Sequence, residues 1–93
     1  FHPQTIFVDQ KVYEQVIFYV VSHHHVIKQI HRITFRFTDH LPILIVEVSI
    51  KAPVSYNVWD EMNVVQRQIH DAFEQMFHLK LTTIQINIKS IQK

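Results

Sequence analysis

The sequence contains no glycine in 93 residues, and this absence restricts the folds that the chain can adopt. Glycine takes the left-handed backbone of tight turns most readily, and it lets a backbone approach a phosphate group closely. Each turn must therefore be built from Asp, Asn, His, Ser or Pro. Glycine-rich phosphate loops cannot form, so the sequence excludes dinucleotide-binding and P-loop nucleotide-binding folds.

The composition indicates one folded domain. The chain is 47% hydrophobic, which is too apolar for disorder and sufficient for a single core. It lacks cysteine, which excludes disulfides and thiolate metal ligands and is typical of a cytoplasmic protein. The net charge of +1, with eight His neutral, argues against a nucleic-acid clamp or a polybasic membrane binder.

No apolar run approaches the roughly 20 residues of a membrane helix, so we expect no direct membrane insertion by this segment. The chain begins at Phe1 rather than Met. We therefore expect residues 1–93 to be a single domain excised from a longer chain, in which an anchor could precede Phe1.

The first part of the sequence predicts a short strand and a helix. "TIFV" (residues 5–8) is β-branched and apolar, which is typical of an edge strand. Asp9 is a suitable N-cap for a helix that ends around residues 22–25. Its apolar residues recur three and four apart, at Val12, Tyr13, Val16, Ile17, Val20 and Val21.

Two alternating segments separated by "TDH" predict a β-hairpin. One face is apolar, with Ile33, Phe35, Phe37, Leu44, Val46, Val48 and Ile50. The other face holds Arg32, Thr34, Arg36, Ile43, Ile45, Glu47, Ser49 and Lys51. Matching the two faces sets Phe35 opposite Leu44, because a slip of one residue would bring Phe35 against an outward-facing residue. The same register predicts the pairs Ile33–Val46, Arg32–Glu47, Thr34–Ile45 and Arg36–Ile43.

The last part of the sequence predicts a second helix and a strand. Pro53 ends the hairpin, Asn57 is a plausible N-cap, and Asp60 and Glu61 suit the first turn of a helix. The apolar stripe of this helix is Met62, Val65, Ile69, Ala72, Phe73 and Met76. Alternation then points Ile84, Ile86 and Ile88 inward. The predicted fold is α+β in the order β-α-β-β-α-β, with two helices packed on one face of a mainly antiparallel four-stranded sheet.

The histidines do not predict a metal site. Adjacent side chains of a helix point apart, so His23–His25 cannot all bind one ion, and an exposed helix end is the favoured interpretation. His70, Glu74 and His78 recur every four residues, and the outer two are about 12 Å apart along the helix axis. We interpret them as a solvated helix face. No serine lies in a nucleophile-elbow context, so we predict neither an enzyme nor a bound cofactor.

The predicted element order is also that of RNA-recognition domains, which stack bases on outward-facing aromatic side chains. The outward-facing residues of this hairpin include no aromatic side chain, so nucleic-acid binding of that kind is not expected. Ile43 and Ile45 instead lie among polar neighbours on the face that should meet water. An apolar centre with a charged rim indicates a protein-contact surface, made of Arg32, Thr34, Arg36, Ile43, Ile45 and Glu47. A slightly apolar sheet face with no partner is the alternative.

Residues 57–88 resemble the C-terminal half of the alkaline shock protein family of Gram-positive bacteria. The residues that match are Asn57, Val58, Asp60, Gln66, Ile69, Ala72, Glu74, Met76, Leu79 and the strand Ile84 to Ile88. The resemblance extends more loosely over the first helix. The chain departs from the family pattern at Trp59, where a proline is usual, at His78, where a turn glycine is usual, and near His25 and Val26, where a Gly-Val pair is missing.

The resemblance implies a non-enzymatic cytoplasmic protein of the alkaline or cell-envelope stress response, in a family whose members self-associate or are held at the membrane by an anchored relative. The first hypothesis is therefore a protein-interaction domain that binds itself or a related member, with no small-molecule substrate. A small RNA- or ribosome-associated module and a His-based metal or pH sensor are the alternatives.

Overall fold

A computed structural model describes residues 8–38, 41–53 and 55–92. The secondary structure elements, in chain order, are α1 (Gln10–Ser22), β1 (Ile27–Thr38), β2 (Leu41–Lys51), α2 (Val58–Phe77) and β3 (Thr83–Gln92). Their order is α-β-β-α-β. The described part of the chain has no strand before α1: Val8 lies outside any strand, and the rest of the predicted "TIFV" strand, residues 5–7, falls outside the described residues.

The three strands form one mixed sheet in the order β1-β2-β3. β1 pairs with β2 in antiparallel fashion, and β2 pairs with β3 in parallel fashion. The predicted four-stranded, mainly antiparallel sheet with β-α-β-β-α-β order is therefore wrong. The physical reason is the connection between β2 and β3: the chain crosses over through the helix α2, and a helical crossover returns the next strand in the same direction.

The predicted hairpin register is confirmed. Phe35 pairs with Leu44, and the neighbouring pairs are Ile33–Val46, Arg32–Glu47, Thr34–Ile45 and Arg36–Ile43. The register shifts only nearer the start of β1, between Ile27 and Gln29 and again between Ile30 and Arg32. The apolar alternation thus specifies the register in the half of the hairpin nearest its turn.

The helix N-termini are capped by the residues that the sequence predicts. The Asp9 side chain accepts a hydrogen bond from the Lys11 backbone N–H at 3.4 Å. The Asn57 side chain accepts one from the Asp60 backbone N–H at 3.2 Å. Each cap satisfies a donor that the first turn of a helix leaves without an intrahelical partner.

His78 is the C-cap that follows α2, and it adopts the left-handed conformation with φ 53° and ψ 32°. The His78 backbone N–H donates to the Glu74 carbonyl at 3.1 Å, and the Leu79 N–H donates to the Phe73 carbonyl at 3.3 Å. Glycine usually occupies this position because a Cβ atom disfavours the left-handed conformation. His78 therefore stands where the backbone favours glycine.

Both helices pack on one face of the sheet, where a single core forms. The central strand β2 contributes four residues that are at most 1% exposed, Leu44, Val46, Val48 and Ile50. The helices contribute Val16, Ile17, Val20, Val21, Met62, Val65, Ile69 and Phe73 to the same cluster. The prediction that two helices cover one face of the sheet is correct.

An aromatic cluster closes one end of this core. The ring of Tyr13 on α1 lies 5.0 Å from Phe35, 5.4 Å from Phe73 and 4.8 Å from Phe77. Phe77, rather than the predicted Met76, continues the buried stripe of α2, and Met76 is 61% exposed. Val65, Ile69, Phe73 and Phe77 are four residues apart and so lie on one side of the helix, which faces the core.

The outer side of α2 is exposed, whereas a polar contact fixes its inner side to β3. Trp59, in the first turn of α2, is 76% exposed. The Gln66 side-chain amide donates to the Ile84 carbonyl of β3 at 2.8 Å. This bond ties the helix to the parallel strand that follows it.

Candidate functional site

The face of the sheet opposite the helices, here called the open face, carries the six predicted contact residues. They are Arg32, Thr34, Arg36, Ile43, Ile45 and Glu47, and the strand pairing sets them in three cross-strand pairs. Ile43 and Ile45 lie on the central strand and are half-buried by their neighbours. The open face therefore has an aliphatic centre on β2 with charged side chains beside it.

A cross-strand ion cluster lies on the open face. The Lys89 ammonium is 3.3 Å from Glu47 Oε1, and the Arg32 Nε is 4.0 Å from Glu47 Oε2. The Glu47 side chain is only 20% exposed, whereas Arg32 is 74% exposed and Lys89 is 56% exposed. Two cations thus surround one partly covered carboxylate, which leaves the surface of the cluster basic.

The side chains of His31, Ser49 and Ser90 form a hydrogen-bonded group near the C-terminal ends of β2 and β3. The Ser90 hydroxyl donates to the Ser49 hydroxyl at 2.8 Å, and Ser49 also hydrogen-bonds to His31 Nε2. In serine–histidine catalytic sites a third group usually orients the histidine. Within the described ranges no carboxylate contacts His31, so this pair lacks the group that would complete a triad.

A second polar group, here called the His24 cluster, lies on the helix side and joins His24 to Glu61 and Gln68 of α2. His24 Nδ1 is 2.8 Å from Glu61 Oε1, and His24 Nε2 is 2.7 Å from Gln68 Oε1. Both contacting oxygens are acceptors, so the arrangement favours the imidazolium form, in which both ring nitrogens donate. His24 is only 9% exposed, which makes this a largely covered ion pair between the end of α1 and α2.

The pKa values follow from these contacts. Burial disfavours the charged form of His24, but the hydrogen bonds to Gln68 and Glu61 outweigh it and raise the pKa of His24 above 6.5. The hydrogen bond from His24 lowers the pKa of Glu61, with a further contribution from Tyr56. Burial and the bond to Glu61 raise the pKa of the Tyr56 hydroxyl. The cluster is stable when His24 is positive and Glu61 is negative.

The histidine run is not a metal site in this structure. His23 Nδ1 contacts the Tyr19 carbonyl at 2.9 Å, His24 points inward, and His25 is exposed. The side chains point apart, as predicted, but the interpretation of the run as an exposed helix end is wrong for His24. Both ring nitrogens of His24 are already engaged, so this imidazole offers no lone pair to a metal ion.

The second histidine set also fails to make a site. His70 Nδ1 lies 3.4 Å from Asp71 Oδ1 and 3.9 Å from Glu74 Oε2, on the outer side of α2. Across residues 8–38, 41–53 and 55–92, no three His, Asp or Glu side chains gather in a way that could hold a metal ion. The described residues therefore do not offer one ion a three-ligand site.

The His24 cluster was missed by the sequence prediction. Glu61 and Gln68 are seven residues apart, which places them on the same side of α2, and this spacing was available as a signal. Their partner lies 37 and 44 residues away in the chain, and no local pattern indicates such a contact.

In the described residues these features define a small α+β domain whose mixed three-stranded sheet is covered on one face by two helices. No family model and no curated protein matches the chain. Among solved structures, the metal-bound C-terminal domain of the CzcD transporter from Thermotoga maritima is similar, with a TM-score of 0.57 and 13% sequence identity. The similarity covers 89% of this chain and 94% of that domain. At this identity it shows the fold alone.

No helix in the described part of the chain is long and apolar enough to cross a membrane. The longest helix, α2, has 20 residues and carries charged side chains along its outer side. The two helices instead use their apolar stripes to cover the sheet.

Proposed function

We propose that this chain is a non-catalytic protein-interaction domain and that the open face is its contact surface. The observation that carries the proposal is the position of Ile43 and Ile45, which lie half-buried at the centre of the face that the helices do not cover. Stable protein interfaces have this layout, with an apolar centre and a polar rim. A solvated sheet face usually carries polar residues at such positions.

The rim of the open face supports the same proposal. Arg32 and Arg36 flank the isoleucine pair, and arginine is enriched in protein interfaces because its planar group forms several hydrogen bonds at once. The partner that we propose is a second copy of this chain or a related domain.

The similar structure suggests where such a domain acts. It is a domain of a transporter, so we propose that this chain likewise serves as an accessory domain at a membrane protein, either attached to it or docked on it. This setting agrees with the prediction of a cytoplasmic domain held near a membrane by an anchor or a partner. The resemblance to alkaline shock proteins and the link to envelope stress stay predictions.

Sedimentation velocity over a concentration series tests the proposal. The wild-type protein should associate with rising concentration, and the variant Ile43→Glu/Ile45→Glu should stay monomeric because it buries two carboxylates in the contact. The matched control is Ile91→Glu, which alters an isoleucine that is 59% exposed at the other end of the sheet. Circular dichroism checks that each variant is folded. A wild-type protein that is monomeric at all concentrations would contradict self-association, and equal effects of both variants would contradict the assignment of the surface.

A sensing role is the second candidate, and the His24 cluster is the observation that favours it. A protonated histidine that joins two helices responds to pH in the range where imidazole titrates. Metal sensing receives less support, since both nitrogens of His24 are engaged and no three-ligand group forms among the described residues. The pH dependence of unfolding in a His24→Gln variant tests the pH-sensing role.

A further inference from the structure

The net charge of +1 conceals a separation of charge between the two sides of the sheet. The helix layer, defined as α1 and α2 with the N-cap Asp9, has six acidic and two basic residues. These are Asp9, Glu14, Asp60, Glu61, Asp71 and Glu74 against Lys11 and Arg67. On the open face, by contrast, Arg32, Arg36 and Lys89 lie around one described carboxylate, Glu47.

This separation disfavours the simplest form of self-association, in which two open faces meet about a two-fold axis. Such a contact would place the arginines and the lysine of one copy against the same cations of the other, because a two-fold interface uses the same patch twice. Glu47 cannot offset this repulsion fully, since it already has two cationic neighbours in its own chain. Like charges brought together without water oppose binding.

The outer side of α2 has the complementary pattern. Val64 is 43% exposed and lies between Asp60 and Asp71, at spacings of four and seven residues that keep all three on one side of the helix. Asp71 and Glu74 are 61% and 53% exposed. Arg67, three residues after Val64, lies on the same side, so three carboxylates and one cation surround this apolar residue. The patch keeps a net negative charge, which is complementary to the Ile43 and Ile45 pair flanked by arginines.

We infer that the open face of one copy binds the helix layer of a second copy. The inference rests on the proposed function, since it assumes that the open face is a contact surface, and it names the surface that this face meets. Because the two surfaces differ, the contact is heterologous, and a dimer keeps one free open face on one copy and one free helix layer on the other. The assembly therefore grows with concentration and weakens with salt, as contacts between exposed opposite charges do.

A charge-swap experiment tests the inference. The sheet variant is Arg32→Glu/Arg36→Glu, and the helix variant is Asp71→Lys/Glu74→Lys. Each should weaken self-association at low salt by about tenfold or more, because it opposes like charges. An equimolar mixture should recover association, since the acidic helix layer of the first variant meets the basic open face of the second. Lys80→Glu, in the loop after α2, is the matched control and should behave as the wild type.

Folding is checked before binding is interpreted. Cations are favourable in the second half of a helix, so the helix variant should fold. If Arg32→Glu beside Glu47 disturbs the sheet, then Arg36→Glu alone replaces the sheet variant, because no described residue forms an ion pair with Arg36. Raising the salt from about 50 to 500 mM should weaken wild-type association by about tenfold or more.

The outcomes separate this inference from the proposed function. If the helix variant associates like the wild type while Ile43→Glu/Ile45→Glu is monomeric, the open face is a contact surface but its partner is not the helix layer. If the wild type is monomeric in every salt, self-association and the inference both fail. If the wild type does not associate but binds polyuridylate or phosphatidylglycerol vesicles, and the sheet variant loses this binding, the open face belongs to that polyanion and the inference is overturned.

Discussion

The two faces of the sheet differ most sharply on β2, where adjacent residues have opposite environments. Leu44 is fully buried under the helices, and its neighbour Ile45 is half-buried on the open face. The covered face is apolar along the whole of β2, whereas the open face combines aliphatic and charged side chains. One alternating strand thus places its residues in two environments, one that stabilises the core and one that we propose is used for binding.

Replacing each of these two neighbours, Leu44 and Ile45, by alanine tests the difference between the two faces most directly. Leu44→Ala should lower the free energy of unfolding by about 2–5 kcal/mol, since it leaves a cavity in the core. Ile45→Ala should cost the monomer less than about 1.5 kcal/mol but should weaken self-association. Urea denaturation at low protein concentration measures the first effect, and sedimentation measures the second. Equal losses of stability in the two variants would show that the open face is as well packed as the core.

The ion pairs on the two sides of the sheet should also differ in how much they contribute to stability. The exposed Arg32–Glu47–Lys89 cluster should contribute little to stability, because water and salt screen it. The covered His24 cluster should contribute more, and His24→Gln should lower the free energy of unfolding at pH 6 by about 1–3 kcal/mol. Denaturation at a series of pH values measures the effect.

The pH dependence of the His24 effect has a definite sign. The pKa of His24 is raised, so its contribution is complete below its ordinary value of 6.5 and is lost as the pH rises through the folded-state pKa. The pKa of Glu61 is lowered, so its contribution is present above its ordinary value of 4.5 and is lost as the pH falls. The cluster therefore stabilises most between pH 4.5 and 6.5.

His25→Gln is the matched control, because His25 is the exposed neighbour of His24 in the same run. The control should keep the wild-type pH dependence, whereas His24→Gln should flatten it above pH 6.5, where the wild-type contribution is lost. A flat profile in both variants, or in neither, would remove the His24 cluster as a source of pH response and with it the pH-sensing role.

The smallest change in the free energy of unfolding is expected at His78, in the connection between α2 and β3. His78 has a positive φ of 53° at the end of α2. His78→Gly should raise the free energy of unfolding by about 1 kcal/mol, because glycine takes this conformation without a Cβ penalty. His78→Ala should not stabilise the domain, and thermal denaturation distinguishes the two. A stabilising alanine would point to the side chain rather than the backbone.

The local parts of the fold could be predicted from the sequence. Alternation along β1 and β2 predicts which residues share a face. A slip of one residue would bring Phe35 against an outward-facing residue, so the alternation also predicts the observed pairing of Phe35 with Leu44. Asp9 and Asn57 mark the helix starts because their side chains satisfy free backbone donors. The prediction of the six open-face residues as one surface patch follows from the same periodicity.

The non-local parts could not be predicted from the same patterns. Alternation shows which face of β3 is apolar, but not that β3 pairs with β2 in parallel. The His24 cluster joins residues far apart in the chain, and the net charge of +1 gives no sign that acids collect on the helices while bases collect on the open face. Each of these features depends on how elements pack, which single-element periodicity does not contain.

The exposed position of Trp59 gives the domain a built-in optical reporter. Trp59 is the only tryptophan in the chain and stands 76% exposed at the start of α2, away from the aromatic cluster of the core. Its fluorescence should have the red-shifted emission of an indole in water in the folded state and should change little on unfolding. A partner that covers the start of α2 would move this emission to shorter wavelength. Trp59 fluorescence would therefore report binding although it changes little on unfolding.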